Sequence, residues 1–495
     1  MYTSSTTLRR TIIEKRRQNG CRAASQARTA LSFIIIAFSL AFVSCATQKK
    51  TETTGTIHEK EPETPPPVDN STQGILTRIS RLLAQRKYAQ ALILFDDIDP
   101  VDAETARIQL IKASIHNAAG ESAKARVIAD GILADQPENT EALFVLAASA
   151  VVDGKEKDQR AILERVIKID PKNIKALCDL GYIALRSQSI RTAANYFDQA
   201  LAVDNKYGEA LIGRAIIYRY NHEPKKSEQL LNQAIRLYPQ WASPLNERAR
   251  LYKGAGFLKE ALADLDAAKK LEPDNYWISI DRGITLVELF RRKEALEEFS
   301  HAISMDPKNF LAYVYSAGIK DDFGDIAGAD SDYSTVIKLK PEYYFASEGL
   351  GIIKMKQLEW AQARDCFLAA YKSAPKDYGY ALLAAVNWMR AGKINDPKQF
   401  LEQVLRTVPR ESAEWYILKL YHDLAGDVDV TIRAEKEKNF DSKAKMLFYL
   451  ANYYDIRGNK NLADKYFLQV QELDRRGIPE WRINEWFIEQ RGLKI

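Results

Sequence analysis

A proline recurs at intervals of 34 residues through most of this chain of 495 residues. Each proline closes a short phrase such as Ile169-Asp170-Pro171 or Met305-Asp306-Pro307, and Asn205 stands where one proline of the series is missing. Proline has no backbone N–H and clashes with the preceding helical turn, so each phrase marks the end of one helix and the approach to the next. The period therefore predicts an array of similar helical units rather than several unrelated globular domains. The prolines of the series are Pro137, Pro171, Pro239, Pro273, Pro307, Pro341, Pro375 and Pro409.

Residue types also recur at fixed positions within each period, numbered 1 to 34 from residues such as Ile174, Tyr276 and Tyr344. Positions 8 and 20 are mostly Gly or Ala, and position 24 is usually Phe or Leu. Two helices approach to about 8–10 Å only where small residues meet, with a large side chain filling the adjacent space. Each period is therefore predicted to be a hairpin of two antiparallel helices. Examples of positions 8, 20 and 24 are Gly283, Ala295 and Phe299 in one period and Gly351, Ala363 and Phe367 in another.

This pattern resembles the tetratricopeptide repeat. The resemblance implies an all-α fold, a right-handed superhelical solenoid of about 11–12 helical hairpins spanning residues 75–478. Residues 479–495 carry an apolar stripe of Trp481, Ile483, Trp486 and Phe487, which predicts a C-terminal capping helix over the last repeat.

The N-terminus has the organisation of an export signal. Residues 1–44 begin with a basic segment and continue with the apolar run Ala30 to Val43, too short for the ~20 residues of a spanning helix. The sequence Phe42-Val43-Ser44-Cys45 resembles a bacterial lipobox, which implies a lipid on Cys45; ordinary signal cleavage is the alternative. Residues 45–74 are polar and proline-rich, as expected of a disordered tether. We therefore expect an exported protein, lipid-anchored at the periplasmic face of the inner or outer membrane or at the cell surface.

The net charge of +5 does not indicate nucleic acid binding, because the segment before Cys45 alone holds seven basic residues and one acidic residue. The remainder of the chain is close to neutral. No nucleotide-binding loop, zinc-binding motif or nucleophile motif occurs in the sequence. We expect no catalytic residues, metal site or cofactor, and hence no enzyme.

Resemblance to the repeat family implies that positions 2, 5, 9 and 12 of each first helix line an inner groove. In the later repeats these positions are apolar, and in the repeats from 208 to 275 they are polar or basic. An apolar groove or burial against neighbouring repeats explains the first set equally well. A site for a carboxylate or an acidic peptide explains the second set, with a solvated basic face as the alternative. The apolar candidates are Trp277, Ile280, Ile284, Phe345, Ile352, Met355 and Met389, and the polar candidates are Arg219, Asn246, Arg250 and Lys253.

A membrane-anchored repeat array without catalytic motifs is most simply a scaffold. Resemblance to other repeat lipoproteins suggests an assembly or biogenesis factor, whose partners are cell-envelope proteins with peptide segments in the groove. A carrier of a lipid or small hydrophobic ligand and a surface adhesin are the alternatives.

Overall fold

A computed structural model describes residues 69–494, and the predicted signal, Cys45 and most of the predicted tether lie outside this range. The described residues form 26 α-helices and one 3-10 helix, Leu94–Asp97, with no β-strand among them. The all-α prediction is therefore confirmed. The chain divides into two compact units between residues 251 and 252, inside the helix Ala242–Ala255.

The first unit, residues 69–251, contains five helical hairpins and the start of a sixth. Its helices are α1 (Thr72–Ala84), α2 (Tyr88–Ile93), α3 (Pro100–Ala103), α4 (Ala106–Ala118), α5 (Ser122–Asp135), α6 (Thr140–Val152), α7 (Glu156–Ile169), α8 (Ile174–Arg186), α9 (Ile190–Val203), α10 (Gly208–Tyr220) and α11 (Pro224–Leu237), and α12 (Ala242–Ala255) crosses the boundary.

The second unit, residues 252–494, continues the hairpins and ends in a single helix. Its helices are α13 (Leu258–Leu271), α14 (Tyr276–Glu288), α15 (Arg292–Met305), α16 (Phe310–Asp322), α17 (Ile326–Leu339), α18 (Tyr344–Lys356), α19 (Trp360–Ser373), α20 (Tyr378–Arg390), α21 (Lys398–Leu405), α22 (Ala413–Asp423), α23 (Asp427–Lys436), α24 (Phe440–Ile456), α25 (Lys460–Glu472) and α26 (Pro479–Gln490).

Several first helices begin three residues after the periodic proline, because an asparagine two residues after the proline caps them. The Asn173 side chain accepts from the Ala176 N–H at 3.1 Å, and the Asn309 side chain accepts from the Leu311 N–H at 3.0 Å. Such a cap satisfies one of the N–H groups that the first helical turn leaves without a partner. The proline phrase thus ends one helix and the asparagine starts the next.

The two helices of a hairpin cross where the sequence places its small residues. A methyl group built on Gly283 would lie 2.7 Å from the ring of Phe299, and one on Gly181 would lie 2.7 Å from the ring of Phe197. Both phenylalanines are fully buried. The recurring small and aromatic residues therefore face each other across the crossing, as the period predicts.

Candidate interaction surface

The polar candidates of the first unit lie on α10 and α12 around one buried carboxylate. Arg250 donates to Glu247 Oε1 at 2.5 Å, and the Arg219 guanidinium lies 3.8 Å from Glu247 Oε2. Glu247 is only 4% exposed. This acid neutralises part of the basic patch expected from the sequence, and binding of a partner carboxylate by the two arginines stays a prediction.

Asn246 lies beside this cluster on α12 and is buried. Neither its side-chain nitrogen nor its side-chain oxygen has a hydrogen-bond partner among the described residues. A buried amide without partners loses about 1–3 kcal/mol of stability relative to one that is hydrogen-bonded. Asn246 therefore has an unused donor group, the NH2 with two N–H bonds, and an unused acceptor oxygen with two lone pairs.

A second polar cluster of the first unit joins α8 and α10. Burial raises the pKa of Asp179 to about 7, and nearby Lys175 opposes that rise. Burial also lowers the pKa of Lys175 and raises the pKa of Glu209. Within this cluster Lys175 lies 4.4 Å above the ring of Phe144. These groups share one weakly solvated region, where each charge depends on its neighbours.

The acids of these clusters are functional candidates that the sequence reasoning did not include. Asp179, Glu247 and, in the second unit, Asp281 all stand at position 6 of a first helix, next to the inner positions 2, 5 and 9. Asp281 lies 3.9 Å from the Lys253 ammonium group. A recurring acid at position 6 was visible in the sequence and would have indicated that the basic residues have internal partners.

The apolar candidates of α14 are buried in the second unit. Trp277 is 9% exposed, and Ile280 and Ile284 are less exposed still. The indole N–H of Trp277 has no hydrogen-bond acceptor among the described residues. Phe345, on α18, is half-buried and stacks on Tyr344 with ring centres 4.2 Å apart. Contact of these residues with a partner stays a prediction.

The remaining apolar candidates pack in the hydrophobic core of the second unit. Ile352, Met355 and Met389 belong to one continuous hydrophobic core that extends to Phe448 and Phe487 of the last helices. For these three residues the structure favours the alternative of burial against neighbouring repeats. The sequence could not show this, because the covering helices are about a hundred residues away along the chain.

Helix α26 is one of the helices that pack against this hydrophobic core. Its Arg482 donates to Asp321 Oδ2 at 2.8 Å, at the end of α16, and its Trp486 ring centre lies 6.4 Å from that of Trp360. The Arg390 guanidinium lies 4.4 Å from the Phe487 ring centre. The predicted terminal helix is thus present, and it reaches first helices several repeats earlier as well as packing on α25.

Residues 69–494 contain neither a cluster of metal-ligating side chains nor a helix that could span a membrane. No group of three or more His, Cys, Asp or Glu side chains in this range is arranged to hold a metal ion. None of the helices in the same range combines the length and apolar character needed to cross a bilayer.

Comparisons with known proteins match parts of the chain. The family model described as "Tetratricopeptide repeat protein 21 N-terminal ARM repeat" matches residues 130–255. DnaJ homolog subfamily C member 3 of Rattus norvegicus is 31% identical over 98 residues, which are 20% of this chain and 19% of that protein. The chain thus spans about a fifth of that relative's length.

Solved structures show similarity over partial lengths. Pseudomonas aeruginosa pilF is 18% identical with a TM-score of 0.38, over 42% of this chain and 94% of that chain. A tetratricopeptide repeat protein of Parabacteroides merdae is 21% identical with a TM-score of 0.36, over 50% of this chain and 98% of that chain.

Proposed function

Because the chain is a repeat protein of the tetratricopeptide type, we propose that it is a non-enzymatic scaffold for protein–protein interactions, anchored to a membrane of the bacterial cell envelope. In this role it serves assembly or biogenesis of other envelope proteins, whose peptide segments bind along the first helices of the repeats.

The side-chain amide of Asn246 carries the proposal. It presents one donor group and one acceptor in a buried position, and both lack partners among the described residues. The backbone of an extended peptide offers a matching C=O and N–H at every residue. Because both amide atoms are inaccessible in the free protein, a partner segment would first displace the side chains that cover them, and its backbone would then complete these hydrogen bonds.

The mixed charges around Asn246 favour a polar partner segment at this point. Arg219 and Arg250 both lie against the carboxylate of Glu247, and the Arg219 side chain is part-exposed. An acidic side chain or a C-terminal carboxylate of the partner would form charge-assisted hydrogen bonds with the Arg219 guanidinium.

The anchoring part of the proposal is supported by the sequence alone, through the apolar run that ends at Ser44-Cys45. A lipid on Cys45 and the polar residues that follow would hold the repeat array at a bilayer surface. We expect Cys45→Ala to release the protein from the membrane fraction and to abolish labelling by a fatty-acid probe. Retention of the variant in washed membranes would contradict the anchor.

Site-specific photo-crosslinking in cells tests the interaction site. A photo-reactive residue at Arg219, on α10, should form adducts with discrete envelope proteins, whereas the same residue at Val127, an exposed position of α5, serves as the control. Asn246→Ala should strongly reduce the Arg219 adducts without changing the helical circular dichroism spectrum. Equal adducts at both positions would refute the site.

Mass spectrometry of the adducts separates the proposal from its alternative. Adducts with lipid mass at Arg219, in place of protein adducts, would identify a carrier of hydrophobic ligands and would reject the scaffold.

A further inference from the structure

The turns between the first and second helices expose large apolar side chains in five consecutive repeats of the second unit. Phe290 is 84% exposed, the highest exposure among the larger apolar side chains in the described range, and Leu358 is 59% exposed. We call this set the turn edge. It consists of Phe257, Phe290, Phe323, Leu358 and Ile394.

The backbone of these turns does not require apolar residues. Each turn contains one residue in the left-handed region, and in three of them it is Gly256, Gly324 or Gly392. In the other two turns Phe290 has φ 61° and Leu358 has φ 62°. Bulky residues are rare in this region because their Cβ crowds the following carbonyl group. Glycine or asparagine would suit both turns better, so neither backbone geometry nor burial in the fold explains Phe290 and Leu358.

Ion pairs show that neighbouring turns lie side by side. Arg292, just after the turn that holds Phe290, lies 3.4 Å from Asp322, just before the turn of the next repeat. Lys356, before the following turn, lies 2.5 Å from Asp321. The turns that hold Phe290, Phe323 and Leu358 are therefore neighbours, and the turns of Phe257 and Ile394 stand at the same place in the flanking repeats. Apolar side chains on neighbouring turns form an apolar surface, not a set of isolated residues.

Two exposed lysines near the turn edge have no carboxylate partner among residues 69–494. Asp321 binds Lys356 and Arg482, and Asp322 binds Arg292. Lys259 and Lys293 are exposed beside Phe257 and Phe290, and no carboxylate of residues 69–494 lies within 4.0 Å of either ammonium group. Exposed lysines next to projecting aromatic residues match the headgroup region of a bilayer, where phosphates lie above the acyl chains.

We propose that the turn edge contacts a phospholipid bilayer surface, with Phe257, Phe290, Phe323, Leu358 and Ile394 at the boundary between headgroups and acyl chains. The five side chains stand on five separate turns, and a protein would need a separate pocket for each of them, whereas lipid accommodates exposed side chains without a preformed shape. Lys259 and Lys293 contact lipid phosphates. This contact is independent of the proposed lipid on Cys45 and of the partner site on α10 and α12.

Fluorescence quenching by lipids tests the contact directly. The full chain carrying Cys45→Ala is mixed with vesicles of phosphatidylethanolamine and phosphatidylglycerol whose acyl chains are brominated. Phe290→Trp should add fluorescence that the bromines quench. The matched control is Val127→Trp, at a similarly exposed position in α5, whose added fluorescence should not be quenched. Equal quenching of the two added signals, or none at Phe290→Trp, would overturn the proposal.

A second pair of variants measures how much the edge contributes to binding. Phe290→Asp and Leu358→Asp should each lower the vesicle partition coefficient about tenfold, because each removes an apolar side chain from lipid. Aspartate tolerates a positive φ and both sites are exposed, so the fold should persist. Val127→Asp should leave the partition coefficient unchanged.

Sedimentation without vesicles tests the competing occupant, a second copy of the chain. The Phe290→Asp and Leu358→Asp variants should sediment as the unchanged protein does. A variant that carries both substitutions is then compared with the unchanged protein. If the unchanged protein is a dimer, and this variant is a monomer that still binds vesicles, the turn edge joins two copies and the bilayer proposal is wrong.

Discussion

Replacing Gly283 by alanine tests the helix crossing on which the repeat depends. In the helix interior, alanine is favoured over glycine by about 1 kcal/mol. At this position, however, the added methyl group would lie 2.7 Å from two ring carbons of Phe299, which is fully buried and cannot move into solvent. Overpacking of a core costs about 1–3 kcal/mol. We therefore expect a net loss of about 1 kcal/mol in the free energy of unfolding.

Gly318→Ala is the matched control, because Gly318 also lies inside a first helix, α16. A methyl group there would meet only the Tyr333 hydroxyl at 4.0 Å, so we expect a gain of about 1 kcal/mol from helix propensity alone. The two glycine variants should thus differ by about 2 kcal/mol. Phe299→Leu, added to Gly283→Ala, should relieve the contact and give a favourable coupling in a double-mutant cycle.

The assay must measure the stability of individual helices, because arrays of repeats do not always unfold in a single transition. Urea unfolding followed by circular dichroism gives the midpoint, and native-state hydrogen exchange of the α14 and α16 amides gives the local free energies. If Gly283→Ala stabilises α14 as much as Gly318→Ala stabilises α16, the helices do not approach closely at Gly283 and the account of the crossing is wrong.

Two further predictions concern charged groups. Arg482→Gln should lower the free energy of unfolding, measured by urea unfolding, by about 1 kcal/mol rather than the ~3–5 kcal/mol of a fully buried pair, because the Arg482 side chain is 38% exposed. An unchanged urea midpoint would mean that this pair contributes no stability. In the native protein burial raises the pKa of Asp179 to about 7, whereas its ordinary pKa is 3.8. The protonated carboxyl group therefore contributes its full stability below pH 3.8, and this contribution is lost as the pH rises towards 7. Asp179→Asn should therefore reduce the fall in stability over that pH range, and an identical pH profile of unfolding would contradict the assigned pKa.

The sequence predicted the helical hairpins well because their determinants are local. A proline, a capping asparagine such as Asn309 and a small residue such as Gly283 each act within one repeat or across one crossing, so a fixed spacing is enough to locate them. The shortened helix Lys398–Leu405, which begins directly after Pro397, follows from the same rule.

The inner surface was less predictable because its exposure depends on contacts far apart in sequence. Assigning Met355 to a groove required knowing which helices cover it, and the irregular repeats after residue 378 determine that. The internal partner of the polar candidates was not predicted for a simpler reason, since Glu247 occupies a position that the family pattern does not assign to the groove. Periodicity thus locates side chains on their helices but does not identify their partners.

The contact between Arg482 and Asp321 joins residues 161 positions apart. In a stack where each repeat touches only its neighbours, the end frays first and loss of structure proceeds unit by unit. Here the last helix is held by a repeat well inside the array, so the helices between them form a closed loop of contacts. If a single molecule were stretched from its C-terminus, force would load that ion pair and the aromatic contacts beside it before it could peel α26 from α25. Extension should then begin with one large rupture, and only afterwards continue in steps of single repeats.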